Sequence, residues 1–256
     1  MTLNVGEGSV SALTGEGTVE ARDGFTLSSD NSLTLADTIR VTEGDALLQV
    51  GGLEANAAMT GAHLVLDQGH LRIESADSVG RDNAALRVDT ATMEAVLNAG
   101  ELYLFSLGDL ELTGDGLHIV SGDGRLSLDV DGTLDLSARI RQSGEGDISV
   151  TADRLHADAS VTTGAMIEAG GDLILLLQDG ITVSGHDRLR LSAEGMTIHT
   201  NTGTLPLEVL GDSTVRSGGV TVQGGSGDLD LLLTDGSLTL EGDLRVLGTG
   251  ELRLDL

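Results

Sequence analysis

Paired carboxylates are the first residues in this chain whose type and spacing could do chemistry. Asp129 and Asp131, and again Asp228 and Asp230, stand at i, i+2. If each pair lies on a strand, both side chains share one face, about 6–7 Å apart. Two carboxylates that close can divide acid and base work when their environments differ. Gathered with oxygens from other positions, they could instead hold calcium, which takes six to eight oxygen ligands. Asp115, Asp123, Asp129 and Asp131 cluster near glycines in and just before SGDGRLSLDVDGTLDL at 121–136, and are the candidate calcium ligands. No other cofactor is implied. Six histidines, at 63, 70, 118, 156, 186 and 199, form no HxH or HExxH pattern and read as lone surface or corner residues. A second kind of candidate is apolar. In Leu102-Tyr103-Leu104-Phe105 and Leu173-Ile174-Leu175-Leu176-Leu177 alternation fails, so Tyr103, Phe105, Ile174 and Leu176 are expected to point outward. They bind a partner, mark a bulge that inverts the phase of the strand, or lie under an adjoining segment. An exposed stripe predicts that Ser at Tyr103, Phe105 and Ile174 leaves folding intact and reduces self-association.

The elements that position these residues are strands. Apolar pairs spaced i, i+2 recur through the chain, among them Leu102/Leu104, Leu110/Leu112, Leu117/Ile119, Leu126/Leu128 and Leu134/Leu136, and then from Leu173/Leu175 to Leu252/Leu254. Successive pairs start seven to nine residues apart in the regular stretches. Period-2 alternation in short runs marks strands with one buried face. Between the pairs stand Gly, Asp, Ser, Thr and Asn, which favour tight corners. GDLILLLQDG at 171–180 and GDLDLLLTDG at 227–236 share eight of ten positions, and GELYLF at 100–105 echoes them 71 residues earlier. The 89–99 segment is either a short helix capped by Asp89 and Thr90 or one more strand with a bulge.

Composition narrows the architecture. Only three of the 256 residues are aromatic, against 39% hydrophobic residues overall. A core of aliphatic side chains without aromatic anchors is thin and repetitive rather than round. Short corners and unbroken repetition favour a β-solenoid over a sandwich. The expected fold is therefore all-β: an elongated parallel β-helix of roughly ten coils, each of three strands and about 24 residues, running without a linker through 1–256. A lone coil of this size buries too little to offset the entropy of ordering it, so stacking is what makes the array stable. The pattern opens at Met1-Thr2-Leu3-Asn4-Val5 and stops at Leu252-Arg253-Leu254-Asp255-Leu256 without a cap, which suggests a fragment of a longer chain whose neighbouring repeats would cover the ends.

The net charge is −27, from 41 acidic residues against 14 basic ones, all arginine. Such a surface repels phosphate backbones and argues against nucleic acid. No apolar run is long enough to span a membrane. The absence of cysteine excludes a disulfide framework.

The G-D/E-L-x-L units at 100–104, 108–112, 171–175 and 227–231, with their Gly/Asp/Ser/Thr corners, resemble the haemagglutinin-type β-helical repeats of filamentous haemagglutinin-like and autotransporter-type adhesins of bacteria. The resemblance covers nearly the whole chain. It implies an extracellular or cell-surface location, a non-catalytic stalk or adhesive role, and a host or cell-surface glycan or protein as partner. Two alternatives stand beside it. Ser184-Gly185-His186-Asp187-Arg188 resembles a site segment of polysaccharide-active β-helix enzymes, although the lysine of that site has no counterpart here. GGSGDLD at 224–230 misses the calcium-binding nonapeptide pattern by one position and leaves a calcium-dependent binding module as the other alternative.

Overall fold

The computed structural model describes residues 2–4, 18–158 and 163–256; Met1 and Val5 of the opening stretch lie outside them. The described chain is all-β without a helix and winds into a parallel β-solenoid of about ten turns, about 23 residues each. At roughly 4.8 Å per turn the stack is about 48 Å long. All its strand ladders are parallel. One antiparallel bridge, Arg81 to Ala84, closes a small hairpin.

A middle turn shows how sequence makes the coil. Leu102–Ser106 forms the first side, Leu110–Ile119 bends at 113–116 to supply the second and third, and Leu126–Leu136 begins the next turn. Strand pairing stacks Leu102 on Leu126, Ile148, Leu173 and Met196. Leu110 stacks in the same way on Leu134, Leu155 and Ile181, and Leu48 on Ile73, Ala95, Leu117 and Ile140. These inward columns are buried and almost wholly aliphatic; Phe25 is the one aromatic in the central cluster of the described residues. Each added rung covers the apolar face of the last while extending the backbone ladder, which is why the array tolerates so few large side chains.

The corners are more specific than soft turns. Gly144 sits so close above the preceding corner that a Cβ there would lie 1.7 Å from the Gly122 carbonyl oxygen. Beside this row Gln142 points inward, 1% exposed, and its amide donates to the Gly122 and Gly124 carbonyls at 2.9 and 2.8 Å. Its oxygen accepts the Gly144 N–H. The side chain thus replaces water for three buried backbone groups.

The aspartates of the Gly-Asp dipeptides do related work. Asp45 accepts the backbone N–H of His70 at 2.9 Å, Asp109 that of Thr133 at 2.7 Å and Asp147 that of Asp172 at 2.8 Å. Asp212 and Asp228 do the same for Ser237 and Glu251. Each carboxylate reaches one turn up the rod and caps an N–H at the corner. The recurrent G-D pair is therefore a fastener between rungs: glycine for the bend, a short acid for the reach.

The 89–99 segment is a strand, Thr92–Leu97, with a register shift between Met93 and Ala95 against the turn above. Above it the chain is broken by the bend at 113–116, so helical spacing of Met93, Val96 and Leu97 was coincidental.

Candidate functional site

A concavity lies on the outer third side near the N-terminal half, where Phe25–Ser29 columns rise through Leu47, Arg72 and Glu94. It is an open groove of about 580 Å³, and Ser28, Asp30, Gln49, Arg72, Glu74 and Asp115 are among its lining residues. Its organising group is Arg72. The guanidinium donates to Glu74 at 2.7 Å and to Glu94 at 2.6 Å, and stands 3.9 Å from Asp115. Gln49 donates to the other Glu74 oxygen at 2.8 Å. The Gln49 and Arg72 hydrogen bonds hold the Glu74 carboxyl below the usual glutamate range.

Glu94 is the buried member. The bend at 113–116 closes over it, and the Asp115 backbone N–H donates to its Oε2 at 2.7 Å. Burial opposes its charge, but the Asp115 N–H and Arg72 outweigh that cost and hold this carboxyl low as well. His70 completes the cluster, with Nδ1 3.2 Å from the Thr92 hydroxyl and Nε2 3.6 Å from Glu94. An arginine satisfied by carboxylates, flanked by hydroxyl and amide groups, suits hydrogen bonding to a polar ligand along the rod. The alternation His70, Arg72, Glu74 behind Leu71 and Ile73 is the sequence signal for this face. The part played by Glu94 had no such signal, because the bend that buries it comes from the next turn.

The candidate calcium ligands do not converge. Asp115 overhangs the groove, and Asp123 accepts the Glu145 N–H at 3.3 Å at a different corner. Asp129 stands on the first side, and Asp131 lies just past its end, where the register shifts. Among the described residues no group of three or more His, Asp or Glu side chains is placed to hold a metal ion. Burial and the neighbouring Asp131 push the Asp129 carboxyl up, against a smaller pull from Arg87. The other pair is committed to structure: Asp228 caps Glu251, and Asp230 accepts from Arg188 at 3.0 Å across two turns. His186 and Asp187 are exposed beside it.

The apolar candidates do share a side. Tyr103 stacks through Ser127 and Ser149 to Ile174, and Phe105 through Asp129 and Thr151 to Leu176, three turns in each case. Two polar rungs separate them, so they form no continuous stripe. Nor is Tyr103 free: it is 7% exposed. In the turn below, Val79 and Leu86 align with Leu102 and Leu104, and the extra chain at 80–85 lies against the tyrosine, with Gly80 at its Cβ. Of the alternatives open for these residues, Tyr103 takes cover by an adjoining segment. Phe105 is half-buried beneath Arg87, whose guanidinium carbon lies 4.2 Å from the ring centroid. Ile174 is half-buried, and Leu176 is 40% exposed.

No protein-family model, curated protein or solved structure matched the chain.

Proposed function

We propose that this chain is a non-catalytic stalk segment of a large secreted or cell-surface protein, of the filamentous haemagglutinin-like or autotransporter type. The observation that supports it is the stacking of narrow aliphatic rungs through the described turns, joined by backbone ladders and, at five corners, by Gly-Asp caps. Such a body resists bending and extension because loading it strains many parallel hydrogen bonds together. The exposed Leu240, Leu252 and Leu254 of the last described turn would, in this reading, receive a neighbouring repeat of the same longer chain. The Arg72 groove is the contact surface, and its dense donors and acceptors favour a hydroxyl-rich glycan over an apolar ligand.

Two measurements test the reading. Antibody labelling of intact source cells should detect the chain without permeabilisation. Glycan-array binding should be lost in Arg72→Ala while the rod stays folded. Labelling confined to lysed cells would overturn the stalk, and binding unaffected by Arg72→Ala would overturn the groove.

A further inference from the structure

On the first side, residues 36–38 join Leu35 to Ile39, but one turn higher residues 56–63 join Ala55 to Leu64. These pairs are in register, Leu35 with Ala55 and Ile39 with Leu64. The extra chain leaves the wall as a loop and removes a backbone acceptor that the turn above would have used. His63 replaces it. Its ring is buried, 1% exposed, and Nδ1 accepts the backbone N–H of Arg87 at 3.0 Å. Nε2 lies 3.2 Å from the Asn56 carbonyl at the start of the loop. An amide N–H can only donate and a carbonyl can only accept. The ring is therefore neutral, with its proton on Nε2, and it ties the start of the loop to the turn above. The turn below holds the loop ends separately: the Asn56 backbone N–H donates to the Leu35 carbonyl at 3.2 Å, its side-chain amide to the Ala36 carbonyl at 3.1 Å, and the Thr38 hydroxyl to the Ala62 carbonyl at 2.8 Å.

We infer that His63 is a proton-operated latch: protonation of Nδ1 breaks the tie between the loop at 56–62 and the turn above, and so loosens the loop on the rod. The imidazolium would present a second donor to the Arg87 N–H, breaking the bond that substitutes for the ladder. Nothing nearby compensates for the charge. The loop itself carries no charged side chain. Of the charged residues on adjoining turns, Arg87 above opposes a second cation, and Asp37 and Arg40 flank the strand below without bonding the ring. Arg40 is occupied by Asp67 at 2.7 Å. Burial and Arg87 together hold the ring below the usual histidine value of 6.5, the Asn56 bond offsetting part of this. The closed loop is thus fully favoured above pH 6.5, and closure weakens as pH falls from there toward the lower folded value.

Hydrogen exchange of Met59 and Arg87 in the intact chain, corrected for intrinsic rates, tests the latch. Protection should fall by up to tenfold per pH unit below 6.5, which is one proton's worth of linkage. Amides of the Leu102–Ser106 strand should keep theirs. In His63→Gln, Met59 protection should be low or high but independent of pH. Ring nitrogen shifts should show the Nε2–H tautomer at neutral pH. Unchanged protection down to pH 4.5, an equal pH response in His63→Gln, or an ordinary titration with the loop still closed would each overturn the inference.

Discussion

Arg72 and Glu94 meet at 2.6 Å across one turn of the rod, and Glu94 is the more deeply buried partner, its other oxygen bonded to the Asp115 N–H. This contact sits where the cross-section changes. Below it Thr92–Leu97 is straight, and above it the bend at 113–116 divides the wall into two sides.

Removing that acid strands a partly buried guanidinium and an unpaired N–H. Glu94→Ala is expected to cost about 2–3 kcal/mol in denaturant unfolding, less than the roughly 3–5 kcal/mol of a fully buried pair because Arg72 remains partly wet. The sign with pH follows from the lowered carboxyl: its contribution is complete above about 4.5 and disappears as pH falls through the lower folded value. Glu94→Gln should therefore flatten the acid side of the stability profile.

Asp147→Ala leaves the Asp172 N–H without its cap and should cost about 1 kcal/mol, as should Asp109→Ala. Asp147→Asn keeps an oxygen acceptor and should recover most of that loss. Urea midpoints for the pair would decide whether the Gly-Asp unit fastens rungs or only keeps the surface charged. Half of this role was legible: the glycines mark corners in the sequence, but the N–H capped lies some 24 residues away, and only the turn length brings it there.

Gly144→Ala should fail to fold normally or lose more than about 3 kcal/mol, because the new methyl meets the Gly122 carbonyl backbone rather than a movable side chain. Gly61→Ala is the control, with open space around its Cβ position and an expected change within about 0.5 kcal/mol. Thermal melts of the two variants separate stacking from mere glycine content.

Tyr103→Ser and Leu176→Ser should behave differently although their columns run side by side. The tyrosine is covered by the chain at 80–85, and its loss should cost about 2 kcal/mol. Leu176 faces solvent, and its replacement should change stability by under about 0.5 kcal/mol. Sedimentation of Leu176→Ser against the parent chain shows whether the exposed leucine drives self-association.

Asp129→Asn should stabilise the rod at pH 7. A carboxyl whose folded value is raised above 3.8 is a liability at all pH values above that folded value, and the liability vanishes below 3.8. Solvent screening limits the gain to about 0.5 kcal/mol. Added sodium chloride should raise the melting temperature of the parent chain by screening its −27 charge, and shrink the advantage of the variant. Calcium beyond its share of ionic strength is expected to add little, since the candidate ligands stand apart.

The strands, their inward residues and the coil were decided locally. Alternation at period 2, corners every seven to nine residues and a shortage of aromatics leave a narrow aliphatic stack as the shape that buries every apolar pair. The 71-residue echo between GELYLF and GDLILLLQDG turns out to be three whole turns, with Tyr103 and Ile174 in one column. What each outward residue meets was decided by the tertiary structure. Neighbours on adjacent turns are 18 to 27 residues apart in sequence, and loops such as 56–63, 80–85 and 113–116 change which side chains come level. A bend in one turn buries Glu94 in another, and a loop below covers Tyr103. These contacts follow from the accumulated length of the intervening chain, which periodicity alone does not carry.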